Sequence, residues 1–167
     1  INSPLTSSAG RLFDAVAGLS GLGSKNHFEA QLPMALEAVI EKGNKEAYKI
    51  QIKETSYGTS VLDIRNMLDE IVKDAGGGTG ASVISTRFHN GLCEAMAGLA
   101  EKARETTGLS TVALSGGVFC NSYLSEYLIS LLKDKGFKVL FKTKVPANDG
   151  GIALGQAAIA AEAIRRE

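Results

Sequence analysis

"STVALSGGVFCNSYLSEYLISLLKDKGFKVLFKT", residues 110–143, is the stretch whose reading decides the fold. A short apolar run at 111–114 reads as a strand that ends in the glycine pair Gly116–Gly117. An amphipathic helix follows over 121–137, with Lys133 and Lys135 near its end and Gly136 as its stop. A second strand follows at 138–143. Outward from this unit, apolar residues Ile84, Phe88, Leu92, Met96 and Leu99 predict a long helix over 81–105, and a small-residue run predicts a final helix over 151–166. The second half thus alternates α–β–α–β–α, which argues for a layered α/β domain with a largely parallel sheet.

The first half adds shorter elements. Leu12, Phe13, Val16, Ala17 and Leu19 have helical spacing over 10–19, with Ser7 or Ser8 as a cap and glycines 18, 21 and 23 at its end. Residues 32–43 read as a second helix with Pro33 in its first turn. Residues 46–55 alternate Tyr48, Ile50 and Ile52 against Lys49, Gln51 and Lys53, the pattern of a half-exposed strand. Residues 59–64 are expected to pair with it across a turn at 56–58. A helix then starts at Asp63 or Arg65 and runs to Asp74. The glycine run at 75–80 is a break and not a phosphate loop, because no Lys-Ser or Lys-Thr follows it.

Composition narrows the classes. The chain has 167 residues, 44% hydrophobic and 22% charged, with zero formal net charge. That is enough for one domain over residues 1–167 with its own core. It lacks the basic balance of a nucleic-acid or membrane-surface binder. Cys93 and Cys120 lack CxxC spacing, so neither a zinc knuckle nor a redox motif is indicated, and a cytoplasmic chain leaves them reduced. His27 and His89, the two histidines, stand too far apart for a self-contained metal site. With a helix already under way near Ile1, the chain is expected to be a piece of a longer protein.

Three places carry candidate chemistry. At Gly116–Gly117 the backbone can approach a ligand closely, and N–H groups at the following helix start attract anions. Asn121 at that helix entry caps the helix, contacts a nucleotide, or does both. Gly10 and Asp14 lie one helical turn apart. Asp14 is either a surface acid paired with a base or an acceptor for a ribose hydroxyl. Asp149, in "VPANDGGIALGQA", is either a cap accepting N–H from Gly151 or Ile152 or a carboxylate ligand for a cation. His89 packs, bonds a carbonyl or faces a cleft. Cys120 reads as a space-filler.

Four segments, "SPLTSSAGRLFDAVAGLSGL", "STRFHNGL", "VALSGGVFCNSYL" and "VPANDGGIALGQA", occur in this order, within a span that runs from Ser3 to about Ala161. Together they resemble the second lobe of the catalytic domain of the HypF carbamoyltransferases of nickel–iron hydrogenase maturation. Wider relatives are the Kae/TsaD threonylcarbamoyl-transfer enzymes and the TobZ/NodU carbamoyltransferases. The fold implied is the second lobe of an actin-like, sugar-kinase-like (ASKHA) ATPase, a small mixed sheet packed by helices.

The resemblance implies an activity. Such enzymes make carbamoyl-adenylate from carbamoyl phosphate and ATP. They pass the carbamoyl group to a C-terminal cysteine of the partner HypE, where it becomes the source of hydrogenase cyanide. The resemblance places Gly10, Asp14, Gly116, Gly117 and Asn121 on the nucleotide. It makes Asp149 one ligand of an iron or zinc ion whose two imidazoles come from an HxxxH pair on the first lobe. It assigns no catalytic residue. This chain contains no HxxxH, and "NHFEAQLPMALE", residues 26–37, departs from the family's pattern, as does Cys120. The chain alone is therefore expected to be inactive, and a face bared by the missing lobe is expected to be unusually apolar. Two alternatives remain: a TobZ/NodU-type O-carbamoyltransferase, and a nucleotide-binding lobe without transfer activity.

Overall fold

The computed structural model describes residue 4, residues 6–141 and residues 144–166. Ser3 and Leu5 of the first resembling segment, and Lys142 and Thr143 of the last predicted strand, lie outside the described residues. In chain order the elements are α1 (Ala9–Leu19), α2 (Gln31–Ala38), β1 (Gln51–Glu54), β2 (Ser60–Asp63), α3 (Arg65–Gly76), α4 (Ala81–Thr107), β3 (Thr111–Ala113), α5 (Ser122–Asp134), β4 (Lys138–Leu140) and α6 (Ile152–Arg166). Single 3-10 turns, Gly117–Cys120 and Asp149–Gly151, precede α5 and α6.

Helix α4 is the spine, packed against α2, α3, α5 and β1. Its Ile84, Phe88 and Leu92 meet Phe13 and Val16 of α1, Leu36 of α2, Met67 and Ile71 of α3, and Leu124, Leu128 and Leu132 of α5 in one buried cluster. Such burial is the main force holding short elements in place. The helix ends where Gly108 turns left-handed (φ 72°) and donates its N–H to the Arg104 carbonyl at 2.8 Å.

Two departures from the sequence pattern share one cause, docking against α4. Helix α2 stops at Ala38, short of 43. Ser85 Oγ bonds the Leu36 carbonyl at 2.5 Å and Thr86 Oγ1 takes the Glu41 N–H at 2.9 Å, so the chain after Ala38 follows α4 instead of its own axis. The predicted strand at 46–55 pairs only over Gln51–Glu54. Asn90 Nδ2 donates to the carbonyls of Asn44 and Glu46, and the Tyr48 N–H donates to the Arg87 carbonyl at 3.0 Å. Tyr48 therefore lies across α4 at Gly91, where an added Cβ would collide with the Tyr48 carbonyl.

β1 and β2 pair antiparallel, with Ile52 opposite Leu62, as the hairpin pattern predicts. β3 and β4 pair parallel across the α5 crossover, with Val112 opposite Val139. Among the described residues the strands form two separate two-stranded ladders. β1 lies against α4 and β4 against α5. Helix α6 buries none of its residues, and Ile152, Leu154, Ile159 and Ile164 are all more than half exposed. Four large apolar side chains exposed on one helix make a surface that other polypeptide normally covers.

Candidate functional site

The parallel strands set the place. β3 and β4 run the same way, and the Leu114 N–H donates to the Leu140 carbonyl at 2.9 Å just beyond the paired residues. The chain then turns at Gly116 (φ 105°), a left-handed conformation open to glycine. The Gly116 N–H donates to the Ala147 carbonyl at 2.9 Å. That bond brings the glycine turn beside the segment that carries Asp149, off the carboxyl ends of both strands, where open α/β sheets present ligand sites. A Cβ at Gly116 or Gly117 would meet nothing within 4 Å, so the turn presents bare backbone to its surroundings. The N–H groups of Gly117 and Val118 have no hydrogen-bond partner among the described residues.

The start of α5 is different from what the sequence suggests. Its N–H groups are not free for an anion. Glu37 Oε1 accepts from Ser122 N at 2.7 Å and from Tyr123 N at 3.3 Å. Asn121 Oδ1 accepts from Leu124 N at 2.8 Å, and the Asn121 carbonyl accepts from Ser125 N at 3.1 Å. A carboxylate of the chain itself, delivered by α2, occupies the positive end of α5. Any anion held here therefore meets the glycine turn and not α5.

Asn121 is thus a cap, and it is also held from behind. Its Nδ2 lies 2.9 Å from His89 Nε2, and His89 Nδ1 lies 2.8 Å from the Ser85 carbonyl. A carbonyl only accepts, so Nδ1 carries the ring proton and Nε2 accepts from the Asn121 amide. His89 is fully buried among Phe13, Phe88 and Tyr123, each edge-on to its ring. Burial pulls its pKa down to about 4, which keeps it neutral and Nε2 an acceptor.

Asp14 sits one residue beyond Phe13, whose ring touches His89 with centroids 5.3 Å apart. A run of contacts therefore leads from α1 through His89 and Asn121 to the glycine turn. Asn26 Nδ2 donates to Asp14 Oδ1 at 2.9 Å, and Asn26 Oδ1 in turn accepts from Leu32 N. Arg11 Nη2 stands 2.9 Å from Asp14 Oδ2, close enough for charge pairing but not aligned as a hydrogen bond. Oδ2 is buried and accepts no hydrogen bond. Its charge is met by Arg11, but no donor is aligned on it, which leaves room for a better-directed one. Gly10 lies in the first turn of α1, where a Cβ would meet only Ser8 Oγ at 3.6 Å. Ser8 occupies the cap position, but its hydroxyl makes no capping bond.

The cap before α6 is Asn148, not Asp149: Asn148 Oδ1 accepts from Gly150 N at 3.2 Å. The Asp149 carboxylate is exposed and has no partner among the described residues. No cluster of three or more His, Cys, Asp or Glu suited to a metal ion occurs among the described residues. As a hard oxygen donor Asp149 fits one position of a shared site, and only one. Cys120 is exposed and Cys93 buried, both as free thiols.

Sequence reasoning did not assign Asn26, Glu37 or the His89–Asn121 bond. The first two lie in the 26–37 segment that departs from the family pattern. Their polar side chains flanking a short helix were the available signal. A separate polar cluster, in which Arg87 pairs with Glu46 and Asp74 and Tyr48 Oη donates to Asp74 at 2.6 Å, ties β1's approach to α3 and α4 and takes no part in the site.

The comparisons with known proteins place the chain in a family. The family model described as "Carbamoyltransferase, Kae1-like Domain, second subdomain" matches residues 1–156. The chain is 38% identical over 154 residues to the carbamoyltransferase HypF of Synechocystis, covering 92% of this chain and 19% of that protein. It is 37% identical to a carbamoyltransferase HypF homolog of Cupriavidus necator, covering 96% of this chain and 42% of that protein. The crystal structure of full-length HypF in the phosphate- and nucleotide-bound form superimposes with a TM-score of 0.88 at 42% identity, covering 95% of this chain and 21% of that one. The chain thus spans 19% to 42% of the length of these relatives. No helix among the described residues is long and apolar enough to cross a membrane. An α/β lobe with these elements, these motifs in this order and this coverage belongs to the HypF carbamoyltransferase family, as the second subdomain of its Kae1-like domain.

Proposed function

We propose that this lobe forms one wall of the site at which a HypF-type enzyme moves a carbamoyl group from carbamoyl-adenylate to the C-terminal cysteine of HypE. In that transfer the cysteine sulfur bonds the carbamoyl carbon, the bond from that carbon to the AMP phosphate oxygen breaks so that AMP departs, and the thiol proton passes to solvent. Gly10 and Asp14 hold the adenosine part, with the Asp14 carboxylate accepting from a ribose hydroxyl. The glycine turn at Gly116–Gly117 offers the N–H groups of Gly117 and Val118 to phosphate or carbamoyl oxygens, and Asn121 offers an amide N–H beside them. Asp149 provides one oxygen ligand to iron or zinc, the remaining ligands coming from the domain's other subdomain. When bound, such an ion supplies Lewis-acid polarisation and orientation of phosphate or carbamoyl oxygens. Carbamoyl phosphate and ATP are the small substrates. The chain works in the cytoplasm as part of the longer enzyme and is inactive alone.

The observation that carries this reading is Asp14 Oδ2, a buried carboxylate oxygen whose charge is met by the exposed Arg11 guanidinium at 2.9 Å but which accepts no aligned hydrogen bond. A ribose hydroxyl that takes the place of Arg11 over this oxygen would supply an aligned donor. The test is AMP titration by calorimetry into the full-length protein, wild type against Asp14→Asn. A loss of about tenfold or more in affinity supports the reading, since a hydrogen bond to a charged group contributes roughly 1.5–3 kcal/mol. Unchanged affinity overturns it. In the same protein Asp149→Ala is expected to lower bound iron or zinc, and unchanged metal content removes Asp149 from the ligand set.

A further inference from the structure

We infer that His89 is a positioning residue for the nucleotide site, acting through Asn121. This rests on the reading of Asn121 as a nucleotide contact given above. His89 contributes no group to a ligand itself, because it is fully buried. Its contribution is to fix an amide.

A side-chain amide has two N–H donors and one carbonyl acceptor. On Asn121 the carbonyl oxygen is taken by the Leu124 N–H at 2.8 Å, and one N–H is taken by His89 Nε2 at 2.9 Å. The two bonds come from opposite directions in the chain: one from the helix that Asn121 caps, the other from the middle of α4, 32 residues away. Together they set both the flip and the torsion of the amide. The second N–H of the amide has no partner among the described residues, so it is held in one direction as a donor ready for a ligand oxygen. With the capping bond alone, the amide could still swing about the axis of that bond.

The histidine is itself fixed for this task. Nδ1 donates to the Ser85 carbonyl at 2.8 Å, which leaves Nε2 as the acceptor. Phe13, Phe88 and Tyr123 enclose the ring edge-on, with centroids between 5.3 and 5.9 Å away. An apolar residue in this place would pack equally well but could not accept the Asn121 N–H. The need for a nitrogen acceptor at the far end of a rigid ring explains a histidine inside an otherwise apolar cluster. Phe13 is also the neighbour of Asp14, so the same ring braces the α1 side of the site.

The experiment compares AMP affinity and the KM and kcat of carbamoyl transfer in the full-length protein for wild type, His89→Leu, His89→Gln, Tyr48→Phe and Asn121→Ala. His89→Leu is expected to weaken AMP binding and raise KM about tenfold with kcat little changed. Gln keeps an acceptor oxygen, and His89→Gln is expected to recover most of that loss. Tyr48→Phe removes the 2.6 Å bond to Asp74 in the polar cluster apart from the site, and is expected to lower the melting temperature without moving AMP affinity. Wild-type AMP affinity in His89→Leu alongside a weakened Asn121→Ala overturns the inference. Wild-type affinity in Asn121→Ala overturns the reading on which it rests. If His89→Leu does not fold, His89→Met, which lacks a nitrogen acceptor and adapts its shape, takes its place.

Discussion

Glu37 Oε1 accepts the N–H of Ser122 at 2.7 Å, closing a contact across 85 residues between the end of α2 and the first turn of α5. The same oxygen takes the Tyr123 N–H, so one carboxylate satisfies two orphan donors and sits at the positive end of a helix dipole. Glu37→Ala is expected to destabilise the chain by about 1–2 kcal/mol. Glu37→Gln keeps an acceptor and loses only the charge, so its cost should be about half. Urea unfolding of the three proteins checks both values.

Gly91 has no room for a side chain, because the Tyr48 carbonyl lies where its Cβ would stand. A Cβ added at Gly98, also in α4, would meet Ile52 Cδ1 at 3.0 Å, a side-chain end that can move aside. Gly91→Ala is expected to cost about 2–3 kcal/mol, the range of overpacking against a fixed neighbour. Gly98→Ala is expected to fall within about 1 kcal/mol of wild type, since better helix propensity offsets the crowding. Thermal unfolding of the two single variants separates them.

His89 gives the chain a pH dependence of definite sign. Its folded pKa lies near 4, against 6.5 for the free side chain, because burial disfavours the charged ring. The unfolded chain therefore binds more protons between these values, and stability falls as pH drops from about 6.5 towards 4. Above that window the contribution is complete. From pH 7 to pH 5 it should diminish by about 2 kcal/mol, and His89→Leu should flatten that part of the profile. Denaturant midpoints at a series of pH values measure it.

The two thiols should react at very different rates. Cys120 is exposed, while burial pushes the Cys93 thiol up to about 12 and hides its sulfur. An aromatic disulfide reagent at neutral pH is expected to modify Cys120 within minutes. Cys93 should follow only in denaturant. Rapid modification of both would mean that the α4–α5 interface opens readily.

Much of this was legible in the sequence because it depends on local pattern. The period of Ile84, Phe88 and Leu92 fixes α4. The apolar run, glycine pair and lysine-tailed helix of residues 110–137 fix the β3–α5 passage, and the 46–64 alternation fixes the hairpin. The segments that resemble the HypF family fixed the lobe. The misses are all long-range. Residues 46–50 alternate like a strand, yet Asn90 and Gly91 of α4 capture them first. Residues 39–43 carry a helical pattern, but Ser85 and Thr86 draw their backbone aside. Glu37 capping α5 and His89 bracing Asn121 have no sequence period at all, because a hydrogen bond across tens of residues leaves no trace in local spacing. Of the two roles open to Asp149, the cap belongs instead to its neighbour Asn148, whose Oδ1 accepts from Gly150 N.

The Glu37–Ser122 contact also bears on the order in which the molecule assembles. β3, α5 and β4 are consecutive, so their packing closes short loops and can form early. The capping of α5 by Glu37 must wait until α2 has been brought back over 85 residues of chain. An interaction completed that late is absent from the folding transition state. Its removal should therefore leave the refolding rate of the chain nearly untouched and appear almost wholly as faster unfolding.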